Sequence, residues 1–475
     1  MPNYTKYQAY KKQRRAVGAS TWEDVVPLTL SIDGDGTKPF VVLENPSPQC
    51  GYEEQFDPIE KWVDIDQNID WICDEEPTPI YDWKHMNPYE DYYCDEPTPY
   101  EYDFKLKAYF SDESESALTC TEFGGVLKRN ETSPLSSMTS CIIGDCVHSL
   151  ADEAMNAPFK NYTNLSAVTM SNHLYSIGWS AFEGCSNLKS VTIPNSVQHI
   201  GFFAFRNCSS LSAVTLPNNI DRIESSVFAK CSGLTEVTIP NSVTKIGRTT
   251  EDFYEVSWYD QPTGAFEYCS ALSSVTLSPN IKSLGDNSFL GCSSLSSITI
   301  PSSLEQIGQW CFNSCSSLEK VVIPESVNEI RFGAFQSCSG LTSLILPPRL
   351  EEIPPQLCLD CYSLKQIKIP STVKNIGNFA FQGCESLTAI TIPSSVTYIG
   401  QGAFNWCRSL KFIIINATTP PKNYNIYGNC DCQGHDNSAM FSNTNNCPIY
   451  VPASALNAYK TDECWKEYWS RIFPK

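Results

Sequence analysis

From residue 136 onward the chain repeats itself every 23 residues, and this period constrains the fold more than any other property. Residues 186–208 read SNLKSVTIPNSVQHIGFFAFRNC, 293–315 read SSLSSITIPSSLEQIGQWCFNSC, and 385–407 read ESLTAITIPSSVTYIGQGAFNWC. The shared pattern is L-x-x-V-x-I-P-x-x-V-x-x-I-G-x-x-A-F-x-x-C. Eleven units are countable. The first, 136–158, is degenerate, with Cys141, Gly144, Met155 and Pro158 in place of Val, Pro, Phe and Cys, and four extra residues, 159–162, follow it. The second is 163–185, nine more run unbroken from Ser186 to Cys407, and a partial twelfth starts at Arg408.

The unit's chemistry dictates its local structure. L-x-x-V-x-I alternates with period two and predicts a short strand with one buried face. The following proline cannot donate to a ladder and ends it. V-x-x-I-G predicts a second short extended segment, with the glycine free to take a positive φ. A-F-x-x-C predicts a tight turn whose Phe and Cys point inward. One unit alone cannot bury its apolar face, so units must stack. Phe205, Phe228, Phe266, Phe289, Phe312, Phe335, Phe381 and Phe404 are then expected to form a ladder.

Ten of the 22 cysteines occupy one repeat position: Cys185, Cys208, Cys231, Cys269, Cys292, Cys315, Cys338, Cys361, Cys384 and Cys407. That periodicity predicts a buried column of free thiols acting as small hydrophobes rather than a disulfide scaffold. The N-terminus, MPNYTKYQAYKKQRRAVG, has charge but no apolar core segment, which predicts no secretory signal and folding in a reducing cytoplasm. No apolar run is long enough to insert in a membrane.

These residues resemble the BspA-like, or Treponema-type, leucine-rich-repeat family of bacterial and protist surface proteins, across residues 136–475. The resemblance implies a leucine-rich-repeat solenoid of eleven coils that binds proteins or glycans and has no catalysis in its repeats. The segment from Asn446 to Ile472 resembles that family's C-terminal cap. The expected organisation is an acidic β-rich module over 1–104, a linker and N-terminal cap over 105–135, the solenoid over 136–407 and a C-terminal cap over 408–475.

The N-terminal module differs in kind. Residues 51–104 hold 17 acidic and 2 basic side chains, whereas residues 1–18 hold five basic ones and no acid. Residues 62–82 are repeated 21 positions later, Trp62 matching Trp83 and Cys73 matching Cys94, and each copy reads as a small hairpin or meander. KYQAYKKQRRAVGASTWEDVVPL and CGYEEQFDPIEKWVDIDQNIDWICD resemble N-terminal modules of virion-associated proteins of crAss-like Bacteroides phages. That resemblance implies a virion component present in multiple copies, attached through its module. Its solenoid would bind a neighbouring virion protein or a host-surface protein or glycan. The alternative is a cell-surface adhesin. A net charge of −20 argues against nucleic acid as partner.

Chemistry-bearing patterns are sparse. Asp64, Asp66, Asn68, Asp70 and Glu75 have the spacing of an EF-hand loop, but Ile69 stands where the turn needs glycine, so an acidic solvated segment is the simpler reading. Metal-dependent enzymology in this module is the remaining, weaker alternative. Cys430, Cys432, His435 and Cys447 lack the usual zinc spacing and read as cap thiols or a cap disulfide. The five histidines form no nucleophile–base arrangement, and His199 reads as a surface residue. No catalytic residue, metal or cofactor is expected.

Binding residues are sought elsewhere. A 15-residue insertion, 248–262, offers Phe253, Tyr254, Trp258 and Tyr259. The outward strand position reads Thr169, Thr192, Thr215, Thr238, Thr276 and Thr299, then Val322 and Ile345, making the face greasier and offering a partner surface there. Trp179, Phe202, Phe203, Trp310, Phe332 and Phe379 form a third stripe, expected to be partly buried between coils.

Overall fold

The computed structural model describes residues 7–16, 23–24, 52–63, 104–119, 125–151, 156–248, 264–423 and 439–475. The chain divides into two compact units, residues 1–100 and 101–475.

In the first unit, strand Tyr7–Ala16 runs antiparallel to Tyr52–Val63, with Glu23–Asp24 on its other side. The register sets Lys11 opposite Asp57, Arg14 opposite Glu54 and Arg15 opposite Glu53. The duplicated hairpins expected beyond Val63 lie outside the described residues.

The second unit is the solenoid. Each coil contributes one strand to each of two parallel ladders. The L-x-x-V-x-I strands pair as Val191 with Val214, Val237 with Val275, and Val321 with Leu344. The x-I strands before the glycine pair as Ile177 with Ile200, Leu284 with Ile307, and Ile376 with Ile399. Partners in the regular coils lie 23 residues apart, as the repeat demands; Ser149 and Ser176 lie 27 apart across the four extra residues of the first coil, and Lys245 and Ser283, like Glu236 and Ser274, lie 38 apart across the insertion. Both ladders resume in phase after it.

The interior follows the sequence columns. The predicted Phe residues are fully buried. Their rings stack with centroids 4.9 to 5.5 Å apart and planes within 18°, and Phe159, Phe182 and Phe441 extend the ladder at its two ends. Cys358 breaks it between Phe335 and Phe381. There the preceding Ala position holds Leu357, so a larger neighbour fills the volume that the smaller side chain leaves.

Three features depart from the expected repeat. First, the four extra residues of the first coil precede its ladder position instead of following it. Phe159 stacks on Phe182 at 4.9 Å, and its carbonyl accepts from the Cys185 thiol, so Phe159 takes the Phe position and Tyr162 the Cys position. Second, Arg248 belongs to the coil: its N–H donates to Ser225 Oγ at 3.0 Å. The 15 inserted residues are thus 249–263. Third, the conserved-phase glycine rarely takes a positive φ. Its role is close approach: a Cβ on Gly308 would lie 2.5 Å from the carbonyl carbon of Gly285, and one on Gly400 2.5 Å from the nitrogen of Asn378. The left-handed positions come two residues after the glycine and again just before the cysteine, as at Trp310 (φ 52°) and Ser314 (φ 61°).

Bulky residues at such a φ cost on the order of 1–2 kcal/mol. The structure shows what they do there. The Trp310 ring lies against the Cα of Gly333, where a Cβ would be 2.5 Å from Cδ1, and the Phe379 ring lies likewise against Gly402. Aromatic and glycine occupy one left-handed column in successive coils, each ring covering the bare backbone one coil on.

Both ends of the stack are closed, as an open solenoid end requires. At the start, the antiparallel hairpin Phe104–Tyr109 and Glu115–Thr119 pairs onto Ser140–Ile143, while Gly125–Leu127 adds to Val147–Leu150. At the finish, Ile449–Val451 and Ile472–Pro474 extend the first ladder. Helix Leu456–Thr461 and a 3-10 segment, Glu463–Arg471, seat Tyr459, Trp465 and Tyr468 on the last coils. Trp465 donates its indole N–H to Pro421 O at 2.9 Å and Tyr459 its hydroxyl to Ala417 O at 2.9 Å, so both buried polar ends are satisfied.

Candidate binding surfaces

The thiol column is chemically quiet. Each thiol donates to a carbonyl of the coil before it, as Cys231 to Phe205 O at 3.1 Å and Cys315 to Phe289 O at 3.2 Å. Burial pushes Cys269 and Cys315 up to about 12 and the other column thiols with resolved shifts in the same direction. A thiol held protonated and out of water is neither nucleophile nor metal ligand. Cys146 and Cys464 are different: each is disulfide-bonded. The remaining described cysteines are free, and these two sit at opposite ends of the stack. Bonded cysteines at the two ends depart from the expectation of a reducing compartment.

Among the described residues, no group of three His, Cys, Asp or Glu side chains is placed to hold a metal ion, and no helix is long and apolar enough to cross a membrane. Asp64, Asp66, Asn68, Asp70 and Glu75 lie outside the described residues, as do Cys430, Cys432 and His435. Cys447 is free and buried. His199 is exposed, its ring edge-on to Tyr175 at 5.7 Å. Asp145 and His173 approach to 3.4 Å near the first coil. Burial, helped by the neighbouring His173, holds His148 below the usual histidine range.

The outward sheet face carries the predicted change of character. Its threonines through Thr299 are exposed. Val322 and Ile345 follow, 58% and 54% exposed, directly opposite each other in the ladder. Two large aliphatic side chains held side by side in water on a rigid sheet are a feature the core does not require. Phe253, Tyr254, Trp258 and Tyr259 lie outside the described residues. Their point of departure is firmly built. Arg248 bonds Glu224 at 2.9 Å and lies over the Phe202 ring at 4.5 Å, and the chain re-enters at Gly264, where a Cβ would overlap Asn287 O. The aromatic stripe is buried or half-buried, Trp179 edge-on to Phe202 at 5.2 Å and Trp310 edge-on to Phe332 at 5.4 Å.

Sequence reasoning missed a second aromatic area in the C-terminal cap. The outward column continues from Thr391 to Ile414, Tyr450 and Phe473, each opposite the next in the ladder. Phe473 is 45% exposed and Phe412, on the same face, 37%. The signal was absent because the 23-residue period stops at Ile414, and only strand pairing places Tyr450 next in line.

Taken together, parallel two-strand coils, stacked columns and capped ends define a leucine-rich-repeat solenoid that presents binding surfaces. The model for the BspA type leucine rich repeat region matches residues 148–256, 262–386 and 351–446, more than half of the chain. The chain belongs to that family, whose solenoids are generally non-enzymatic binding proteins. A leucine-rich repeat protein from Bacteroides ovatus is 21% identical, with 78% of this chain and 90% of that one covered and a TM-score of 0.54. A leucine rich cell surface protein from Faecalibacterium prausnitzii is 25% identical over 68% of this chain and 95% of its own, with a TM-score of 0.34. The pneumococcal vaccine antigen PcpA is 19% identical over 71% and 77%, with a TM-score of 0.45. No curated protein matches. The N-terminal resemblance to virion proteins finds no counterpart among these relatives.

Proposed function

We propose that this chain is a bacterial cell-surface adhesin that holds a protein or glycan on the outward face of its solenoid. Its contact surface includes the Val322–Ile345 pair and the inserted segment with Phe253, Tyr254, Trp258 and Tyr259. The observation that carries the reading is the in-register exposure of Val322 and Ile345 where earlier coils present threonine. A binding face needs a rigid apolar centre with a polar rim, and Lys320 and Lys368 are exposed beside this pair. Disulfide-bonded Cys146 and Cys464 suit an exported protein, and so does the surface location of the Faecalibacterium relative.

The test is protease shaving of intact producing cells followed by mass spectrometry, alongside proteomics of purified phage particles from the same culture. Release of solenoid peptides from cells supports the surface reading. Recovery in particles and not from envelopes overturns it in favour of a virion role. For the site, Val322→Lys together with Ile345→Lys abolishes adhesion of the purified protein to target cells while leaving its circular dichroism unchanged; undiminished adhesion removes the pair from the interface.

A further inference from the structure

From Glu319 to Ile414 the outward face of the first ladder changes charge as well as polarity. Its outward and strand-entry positions carry Lys320, Lys365, Lys368 and Lys411 against the single acid Glu319, and all four lysines are exposed. The equivalent positions of the six coils before hold Lys189 and Glu236 among serines, threonines and alanines. None of the four lysines forms an ion pair with a described residue. Three other cations of the same coils do: Arg331 with Glu329 at 2.6 Å, Lys374 with Glu351 at 2.7 Å and Arg408 with Glu385 at 3.8 Å. In a chain of net charge −20, four basic groups left open on one face are not the outcome of a general excess of lysine.

The lysines surround apolar side chains. Lys320 stands two residues before Val322 on its strand, and Val322 lies opposite Ile345. Lys368 follows Ile367, the partner of Leu344, and so comes next to Ile345. Lys411 precedes Phe412, which is 37% exposed and opposite Ala389. Basic groups thus recur on every second coil, at steps of about 10 Å for strands about 4.8 Å apart.

We propose that this face docks an acidic segment of a protein partner, its apolar side chains on Val322 and Ile345 and its carboxylates against the four lysines. Charge complementarity carries the choice: an apolar centre ringed by unpaired cations selects a partner with the opposite charge around a matching apolar group. An anionic glycan is a poorer occupant. It would meet the lysines, but the aliphatic pair offers a sugar ring no aromatic face and would stay in water. Exposed, hydrated lysines act at a distance, so their part is to draw in and sort partners, while the apolar pair holds the one that fits. This inference rests on the reading of the chain as a surface-binding protein and assigns the partner's chemistry at the same face.

The experiment is fluorescence anisotropy of a labelled random copolymer of glutamate and tyrosine titrated with the full chain, with labelled polyglutamate and heparin as comparisons. The copolymer is expected to bind more tightly than either comparison, and added salt to weaken it. Lys320→Gln, Lys365→Gln, Lys368→Gln and Lys411→Gln together weaken that binding by about tenfold or more. The same loss of charge on other surfaces, through Lys230→Gln, Lys245→Gln, Lys460→Gln and Lys466→Gln, leaves it unchanged. Val322→Thr with Ile345→Thr, the residue of the earlier coils, lowers the copolymer to the level of polyglutamate. No copolymer binding, heparin binding tighter than the copolymer, or an equal effect of the two lysine variants overturns the proposal. Adhesion abolished by Val322→Lys and Ile345→Lys in a protein that does not bind the copolymer removes this partner chemistry and keeps the adhesin reading. Lysine-dependent copolymer binding by a chain recovered from particles and not from envelopes keeps the docking face and removes the adhesin.

Discussion

The thiol of Cys208 donates to the carbonyl oxygen of Phe182, 26 residues earlier, at 3.2 Å. The same link recurs from coil to coil, from Cys185 onto Phe159 through Cys407 onto Phe381. A column that composition alone would assign to cross-linking instead sews each turn to its neighbour through a weak donor, while its sulfur fills space that the stacked rings leave.

The first prediction concerns pH. Column thiols have folded pKa values raised by burial, to about 12 for Cys185, Cys269 and Cys315. In the unfolded chain they ionise near the ordinary thiol value of about 8.5. The folded state therefore holds protons that the unfolded state releases. Stability is complete below about pH 8.5 and falls as pH rises towards 12, each thiol adding a slope of about 1.4 kcal/mol per pH unit. Urea midpoints measured from pH 7 to 10.5 should drop steeply above pH 9. Cys269→Ala and Cys315→Ala together should flatten that drop by the share of two thiols.

Thiol accessibility gives a second check. In native protein the column cysteines should resist a water-soluble thiol reagent, and after unfolding all should react. Rapid native labelling at Cys292 or Cys338, both wholly buried, would show that the stack opens on its own.

The ring ladder predicts an asymmetric cost. Phe289→Ala removes a ring stacked on both sides, at 5.5 Å from Phe266 and 5.5 Å from Phe312, and should cost about 3–5 kcal/mol. Phe289→Cys alone should cost nearly as much, whereas Phe289→Cys combined with Ser288→Leu would copy the Leu357 and Cys358 arrangement but lose the Ser288 hydroxyl bonds. Ser288 donates to Ile246 O at 3.1 Å, so the double change recovers little here. Denaturant midpoints of the two variants measure the difference.

Glycine substitutions should sort by space rather than by φ. Gly308 has an ordinary φ, yet a Cβ there meets Gly285 backbone at 2.5 Å. Gly308→Ala should lose about 1–3 kcal/mol, as overpacking does, and shift the thermal midpoint accordingly. An unchanged midpoint would mean that the coils separate more easily than their ladder suggests.

Much of this architecture was legible because one period fixes everything at once. Val191, Ile200, Phe205 and Cys208 each announce an inward column by recurring in phase, and the structure buries all four. What escaped lies where the period fails or where identity hides geometry. Phe159 was missed because a fixed spacing points to Met155, and only ring stacking reveals the shifted register. The glycine after Ile307 reads as a turn residue, while its true constraint is the neighbouring backbone, which sequence does not show. Tyr450 and Phe473 join the outward column across 36 and 23 residues, and the 36-residue step, Ile414 to Tyr450, spans the irregular start of the cap. The surface pair Val322 and Ile345 was readable since a break in a threonine series needs no coordinates. Phe253, Tyr254, Trp258 and Tyr259 remain proposals from sequence alone.

The pairing of Lys245 with Ser283 and of Glu236 with Ser274 across fifteen added residues has a bearing on how such a chain can change. Because hydrogen bonding resumes in phase on both ladders, the junction between Arg248 and Gly264 behaves as a socket. Its contents can be lengthened, diversified or exchanged while the hydrophobic columns on either side stay untouched, which decouples change in the inserted sequence from the demands of folding.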